Sequence, residues 1–156
     1  MWFDSHTHLF ECEPVEQTVA RARAAGVGGL LVAGVDEATS EAAIELSERS
    51  DVWAAVGIHP NSSAGFAPGW MEAVARLASS PAAVAVGETG LDFYRDAAPR
   101  ADQEAAFAAH IELSRSRDKA LVVHTRASVG AALDMLEGSP PELVAVTRPA
   151  VEDDAL

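Results

Sequence analysis

The feature that most constrains this chain is a pair of histidines two residues apart in its first apolar stretch. Residues 2–10 have the composition of a β-strand, in which alternate side chains point to the same face. This pattern places His6 and His8 side by side, where two imidazoles can bind one metal ion. Asp4 has the same parity, so we expect its carboxylate to accept a ring N–H and fix a tautomer. The pair alone is equally typical of a solvated strand face, so its meaning depends on the later strands.

Apolar runs and amphipathic segments alternate along the whole chain, with short connections between them. Apolar runs typical of buried parallel strands follow the first strand at residues 27–35, 52–58, 83–87, 120–123 and 143–146. Helical periodicity is present between them at residues 15–25, 36–48, 68–78, 102–117 and 128–136. The alternation predicts an α/β fold with about six parallel strands and outer helices. Because no spacer divides the chain, we expect one domain over residues 1–156.

Composition narrows the classes of function. The formal net charge of −13 argues against a broad, non-specific grip on nucleic acid, but it permits a local site that binds phosphate through metal ions. The single cysteine, Cys12, excludes an intrachain disulfide. No apolar run reaches membrane-spanning length, and the first residues do not have the pattern of a secretory signal. We therefore expect a cytoplasmic protein with no membrane partner.

Polar residues stand at the carboxyl ends of the predicted strands, where parallel α/β folds place their sites. His59, Glu88 and His124 each follow an apolar run directly, as the first two histidines close the first strand. Imidazole and carboxylate form a usual ligand set for Zn, Mn or Fe, and for Mg where carboxylates dominate. Because Glu88 has two oxygens, it is able to bridge two ions, an arrangement that supports phosphoester hydrolysis. These residues predict a metal site composed of His6, His8, Glu88 and His124.

Five stretches of the chain resemble the family of TatD-like metal-dependent hydrolases and deoxyribonucleases. In order they are FDSHTHL at residues 3–9, VGIHP at 56–60, VGETGLDFYRD at 86–96, Gln103 with Phe107, and VVHTRA at 122–127. The resemblance implies a TIM-type barrel with two divalent ions per full site, Mg, Mn or Zn. It implies that His6 and His8 hold one ion, that Glu88 is the bridging catalytic residue, and that His124 holds the second. The implied activity is phosphodiester hydrolysis by a metal-activated water.

The chain departs from the family pattern at its end. The family continues into a His-Cys-Phe-like motif and later a Thr-Asp-like motif, whereas residues 143–147 stand where the first is expected and contain no histidine. We therefore expect a partial TIM barrel, truncated at its C-terminus, with a divergent tail from about residue 143 and impaired activity. The expected partners are DNA or a small phosphoester as substrate, and a second copy or a complementing C-terminal fragment along the open sheet edges.

Several alternatives remain open from the sequence. The same metal template suits hydrolysis of amides or esters in small molecules, and an inactive remnant would keep part of the site. His59 either lines the pocket or merely closes a strand, and Arg126 either binds a phosphate or lies on the surface. Tyr94 either stacks on a base or packs within its loop. Asp92 is expected to support its neighbours without binding metal, and His110 to be structural within an outer helix.

Overall fold

The computed structural model describes residues 1–95, 97–138, 141 and 144–147. The strands are β1 (Trp2–Thr7), β2 (Val27–Ala33), β3 (Val52–Val56), β4 (Ala83–Asp92), β5 (Ala120–Arg126) and β6 (Val144–Thr147). The helices are α1 (Val15–Ala24), α2 (Glu37–Leu46), α3 (Trp70–Leu77), α4 (Arg100–Arg117) and α5 (Val129–Glu137). Short 3₁₀ helices cover Leu9–Glu11 and Pro60–Ser62. All neighbouring strands pair in parallel and lie in sequence order from β1 to β6.

This arrangement confirms the predicted α/β fold, because a parallel sheet in sequence order with a helix between each two consecutive strands is part of a (β/α) barrel. One buried cluster joins strand residues such as Val32, Val56 and Val123 to helix residues such as Val74 and Phe107. A second cluster contains only strand residues of the opposite, inner face, and most of them are small: Leu31, Ala33, Ala55, Ala85 and Val122. The helices therefore cover one face, and small side chains line the other.

Helix α2 shows how local chemistry fixes an element. The carboxylate of Asp36 accepts the backbone N–H of Thr39 at 2.8 Å, and the hydroxyl of Thr39 accepts the backbone N–H of Asp36 at 3.0 Å. This reciprocal capping box satisfies two backbone donors at the start of the helix. The helix therefore begins at Glu37, directly after this cap and within one residue of the predicted start.

The bounds of the three strands that carry the metal-site residues differ from the predicted ones, and β2 and β3 also end two residues before theirs, at Ala33 and Val56. β1 ends at Thr7, because His8 leads into the 3₁₀ turn that buries Leu9. β4 was predicted to stop at Gly87 but continues through Glu88 to Asp92, since its pairing with β5 resumes after a register shift between Val86 and Thr89. β5 correspondingly runs to Arg126. His124 therefore lies within a paired strand, opposite Gly90. Glu88 lies at the register shift, where its backbone N–H donates to the carbonyl oxygen of Gly34 at 3.0 Å.

The last part of the chain is described only in β6. Leu143 and the predicted tail over residues 148–156 lie outside the described residues, so the divergence from about residue 143 and the single domain over residues 1–156 stay predictions. None of the described helices is both long and apolar enough to cross a membrane.

Candidate functional site

Glu88 lines a cavity of about 600 Å³ at the carboxyl ends of the strands. One carboxylate oxygen, Oε2, is 3.3 Å from Nε2 of His6 and 3.6 Å from Nε2 of His8. The other oxygen, Oε1, is 3.3 Å from Nδ1 of His124. The structure therefore brings the four predicted ligands together, with a pair of imidazoles on one oxygen of Glu88 and a third imidazole on the other.

The charge of Glu88 is set by these imidazoles. Burial opposes its ionisation, but hydrogen bonds with His124 and His6 outweigh burial and hold the pKa of Glu88 well below its usual value. The hydrogen bond with Glu88 in turn raises the pKa of His6. Glu88 is therefore an ionised carboxylate at neutral pH, surrounded by nitrogen atoms that bind either protons or a cation.

The donor set fits a divalent metal ion. Nδ1 of His8 lies 2.8 Å from the carbonyl oxygen of Ala33, which only accepts hydrogen bonds. Nδ1 therefore carries the proton, and the lone pair of Nε2 faces Glu88, which is the tautomer that a metal ligand needs. Nδ1 of His6 is buried without a hydrogen-bond partner among the described residues. His6, His8 and Glu88 each offer a ligand atom within 4.8 Å of the others, a nitrogen and oxygen set suited to Zn, Mn or Fe.

The role predicted for Asp4 is wrong. Its carboxylate accepts the backbone N–H of His6 at 3.1 Å, and the ring N–H of His8 goes to Ala33. The prediction assumed regular alternation along the strand, whereas the pairing of β1 with β2 shifts register between Asp4 and Thr7. Even so, the rings of His6 and His8 are in edge-to-face contact, with 5.0 Å between their centroids.

His124 is held between two carboxylates. Its Nε2 lies 3.1 Å from Oδ2 of Asp92, on the side of the ring opposite Glu88. Asp92 is itself buried, and its Oδ1 accepts the backbone N–H groups of Tyr94 and Arg95 at 3.1 and 2.9 Å. Asp92 therefore orients His124 and fixes the loop after β4, in agreement with the supporting role predicted for it.

A buried glutamine fixes the end of β4 from behind. The side-chain oxygen of Gln103 accepts the backbone N–H of Asp92 at 2.8 Å. Its amide nitrogen donates to the carbonyl oxygens of Asp92 and Ala98 at 3.2 and 2.9 Å. This one side chain thus ties α4 to the strand that carries Glu88.

The predicted substrate residues take different positions. His59 lines the cavity and packs edge-on against His124, with 4.3 Å between the ring centroids, and burial lowers its pKa to about 4. Arg126 also lines the cavity. Tyr94 lies beside the cavity with 53% of its surface exposed, and the guanidinium of Arg126 covers its ring at 3.8 Å.

The cavity is also lined by five residues that the sequence analysis did not single out: Glu11, Val35, Asn61, Ser62 and Arg95. Arg95 belongs to the VGETGLDFYRD stretch, and its position directly after Tyr94 was the available signal. Asn61 lies in a polar loop that no pattern distinguished. The lining of the described cavity therefore combines two arginines with four histidines and three carboxylates.

Comparisons with known proteins identify the family of the chain. Residues 3–147 match the family model for TatD-related DNases. The 3′-5′ ssDNA/RNA exonuclease TatD of Klebsiella pneumoniae is 39% identical over 112 residues, which cover 71% of this chain and 43% of that protein. Its counterpart in Enterobacter lignolyticus is 34% identical over 146 residues, covering 88% of this chain and 56% of that protein. The chain thus spans about half the length of these curated relatives.

Solved structures show the same fold. A TatD homologue from Escherichia coli superposes with a TM-score of 0.80 at 25% identity, covering 88% of this chain and 55% of that chain. A TatD-family hydrolase from Entamoeba histolytica superposes with a TM-score of 0.75 at 16% identity, over 88% and 54% of the two chains. From the family match over residues 3–147, the chain belongs to the TatD-related DNase family.

Proposed function

We propose that this chain carries the metal-binding part of a hydrolase site that acts on phosphodiester bonds. The observation that supports it best is the division of the Glu88 carboxylate between two sets of imidazoles. His6 and His8 would hold one divalent ion, His124 the other, and Glu88 both. Ions bound there would act as Lewis acids on a phosphoryl oxygen and generate a nucleophile from water. Mg, Mn and Zn all suit this mixture of ligands.

The protein groups around the cavity complete the proposal. The ionised Glu88 carries the negative charge that attracts cations. Asp92 holds the ring of His124 in the orientation in which Nδ1 faces Glu88. Arg126 would hold a phosphate group through its guanidinium. Because Arg126 covers one face of the Tyr94 ring, the other face would stack on a base.

Single-stranded nucleic acid is the substrate we favour. The curated relatives from Klebsiella and Enterobacter carry the description 3′-5′ ssDNA/RNA exonuclease. The net charge of −13 gives no general attraction for a polyanion, so the grip would be local and would depend on metal ions and arginines. The cytoplasmic location expected from the sequence stays a prediction, which cell fractionation would test.

The activity of the 156-residue polypeptide should be low. The described residues supply three protein ligands for one ion but only Glu88 and His124 for the other. A weakly held ion dissociates readily and leaves its site empty at low metal concentrations, so we expect turnover only at high Mn²⁺ or Mg²⁺ concentrations.

The test compares Glu88→Gln with Glu104→Gln, a matched change at an exposed position of α4. Calorimetry should show Mn²⁺ binding by the unmodified protein and by Glu104→Gln, and at least tenfold weaker binding by Glu88→Gln. A labelled single-stranded oligonucleotide should be cleaved slowly by the first two proteins and not by the third.

Three results would contradict the proposal in different ways. Hydrolysis of a small ester or amide without cleavage of DNA would favour the small-molecule alternative. No metal binding by the unmodified protein would favour the inactive remnant. Brisk DNA cleavage, lost in Glu88→Gln, would show that the described ligands are sufficient and that the expected impairment is wrong.

A further inference from the structure

We propose that His59 is a hydrogen-bond donor to the substrate and not a metal ligand, and that the backbone N–H of Asn61 fixes it in that role. The inference rests on the proposed hydrolysis of phosphodiesters. It assigns to His59 the contact with a non-bridging oxygen of the phosphate, made through the N–H at Nε2.

Distance alone points the other way. His59, Glu88 and His124 each offer a ligand atom within 4.8 Å of the others. The same is true of the group formed by His6, His8 and Glu88. The rings of His59 and His124 are in contact, with their planes at 63°. A search for imidazole and carboxylate groups would therefore count His59 among the ligands of the second ion.

The hydrogen bond of the His59 ring decides between the two roles. The backbone N–H of Asn61 donates to Nδ1 of His59 at 3.1 Å. A nitrogen that accepts a hydrogen bond uses its lone pair and carries no proton, so the ring proton is at Nε2. Nε2 then has no lone pair for a metal ion. Coordination through either nitrogen would require the Asn61 hydrogen bond to break.

His8 shows the opposite arrangement in the same cavity. A carbonyl oxygen, that of Ala33, faces its Nδ1, so the proton is at Nδ1 and the lone pair is at Nε2. His110, on α4, has the same tautomer as His8, because its Nδ1 donates to the carbonyl of Ala106 and its Nε2 accepts the backbone N–H of Ile58. The carbonyl of Ala33 thus leaves His8 with a lone pair at Nε2 for a metal ion. The N–H of Asn61 leaves His59 with a proton at Nε2 for a hydrogen bond.

The chemistry of the substrate matches a donor at this position. The non-bridging oxygens of a phosphodiester only accept hydrogen bonds, so a ring nitrogen with a lone pair would repel them and an N–H would bind them. His59 lines the same cavity as Glu88 and Arg126. The ring would therefore act as a positioned donor beside the metal ligands.

Two variants separate the donor from its fixing hydrogen bond. In His59→Asn the side-chain oxygen still accepts the N–H of Asn61, since asparagine caps such turns in the same way. The shorter side chain has no group that reaches the position of Nε2. His59→Gln places an amide N–H near the position of Nε2 but gives up the cap. A cooperative thermal unfolding transition in both variants, at a temperature close to that of the unmodified protein, would show that they fold.

The first measurement is the tautomer. Long-range ¹H–¹⁵N spectra of the metal-free protein, assigned by loss of one ring in His59→Asn, should show an unprotonated Nδ1 and a protonated Nε2 for His59. The spectrum of this ring should keep that pattern when Zn²⁺ is added. Movement of the proton to Nδ1 on addition of Zn²⁺ would overturn the proposal.

The second measurement separates metal from substrate. Calorimetry with Mn²⁺ should give the same number of ions and the same affinity within twofold for the unmodified protein and both variants. Anisotropy of a labelled phosphorothioate oligonucleotide in Mn²⁺ should show at least tenfold weaker binding by His59→Asn, with partial recovery in His59→Gln. Loss of one bound ion in His59→Asn would make His59 a ligand.

The outcomes distinguish this inference from the function on which it rests. An unmodified protein that binds Mn²⁺ but no oligonucleotide refutes the proposed function, and the donor role with it. An unmodified protein that binds the oligonucleotide, together with equal binding by His59→Asn, refutes the donor role alone.

Discussion

His110 illustrates how a single buried side chain links the outer helices to the site. It lies on α4 with its whole side chain buried, and its Nε2 accepts the backbone N–H of Ile58 at 3.0 Å, just before His59. Its Nδ1 donates to the carbonyl of Ala106 at 2.6 Å. Both ring nitrogens are thus used by backbone groups, which confirms the structural role predicted for His110 and leaves no place for a second ring proton.

This arrangement predicts a pH dependence of stability. Burial lowers the pKa of His110 to about 4, whereas an unfolded histidine titrates near 6.5. Between these values the unfolded chain binds more protons, so the free energy of unfolding falls as the pH falls, by roughly 2 kcal/mol between pH 7 and pH 5. Urea denaturation at pH 5, 6 and 7 measures this fall in the free energy of unfolding.

The control for this prediction is His110→Gln, which removes the titrating group. His59, whose pKa is also lowered to about 4, acts in the same direction. His6, whose pKa is raised, contributes stability that is lost as the pH rises above 6.5. The variant should therefore keep part of the pH dependence but with a smaller slope between pH 7 and pH 5. An unchanged slope would show that His110 is not responsible.

At the scale of elements, β4 and β5 pack closely together beside the site. Gly90 has a φ of +131°, and a Cβ atom there would overlap the carbonyl oxygen of His124. Gly90→Ala should therefore destabilise the protein by roughly 1–3 kcal/mol and weaken Mn²⁺ binding, because β5 must move. Denaturation and calorimetry measure the two effects.

Gly130 provides the matched control within α5. A Cβ atom there would meet nothing within 4 Å. Gly130→Ala should raise the free energy of unfolding by about 0.5–1 kcal/mol and leave metal binding unchanged, since alanine favours a helix over glycine. Equal effects of the two substitutions would contradict the assigned contact between β4 and β5.

The link between α4 and β4 depends on Gln103. Gln103→Leu would leave the backbone N–H of Asp92 and the carbonyls of Asp92 and Ala98 without their partner. Because these groups are buried, we expect a loss of roughly 1–3 kcal/mol in the free energy of unfolding. Glu104→Leu, at the exposed next position, should cost little. Similar losses in both would indicate that the glutamine bonds do not matter.

At the scale of the whole molecule, β1 is at an edge of the described sheet. It pairs with β2 on one side, and no strand among residues 1–95, 97–138 and 144–147 pairs with its other side. Trp2 and Phe3 on this strand are 75% and 55% exposed. Open edges with apolar side chains recruit other strands.

We therefore predict that the 156-residue polypeptide self-associates at micromolar concentrations. Trp2→Lys should reduce association, because a charge on an edge strand disfavours pairing. Leu133→Lys, at an exposed apolar position of α5, should not reduce it. Sedimentation velocity measures all three proteins, and a monomeric unmodified protein would refute the prediction. A complementing C-terminal fragment as partner also stays a prediction.

The sequence by itself determined the architecture and the residues that meet at the site. Alternating apolar and amphipathic segments predict parallel strands, and the carboxyl ends of such strands meet at one edge of the sheet. The juxtaposition of His6, His8, Glu88 and His124 follows from this topology, whereas their role as metal ligands stays a prediction.

The tertiary structure alone decided the length of β4 and the chemistry of each histidine. β4 continues to Asp92 because β5 pairs with it there. The sequence pattern of residues 83–92 alone does not indicate this pairing. The tautomer of His8 is fixed by the carbonyl oxygen of Ala33, 25 residues away. This carbonyl, and not the carboxylate of Asp4, accepts the ring N–H of His8. A ring proton is placed by whichever backbone or side-chain group the fold brings within hydrogen-bond distance, such as the carbonyl of Ala33 for His8 and the carboxylate of Asp92 for His124. These contacts form only when the strands pair.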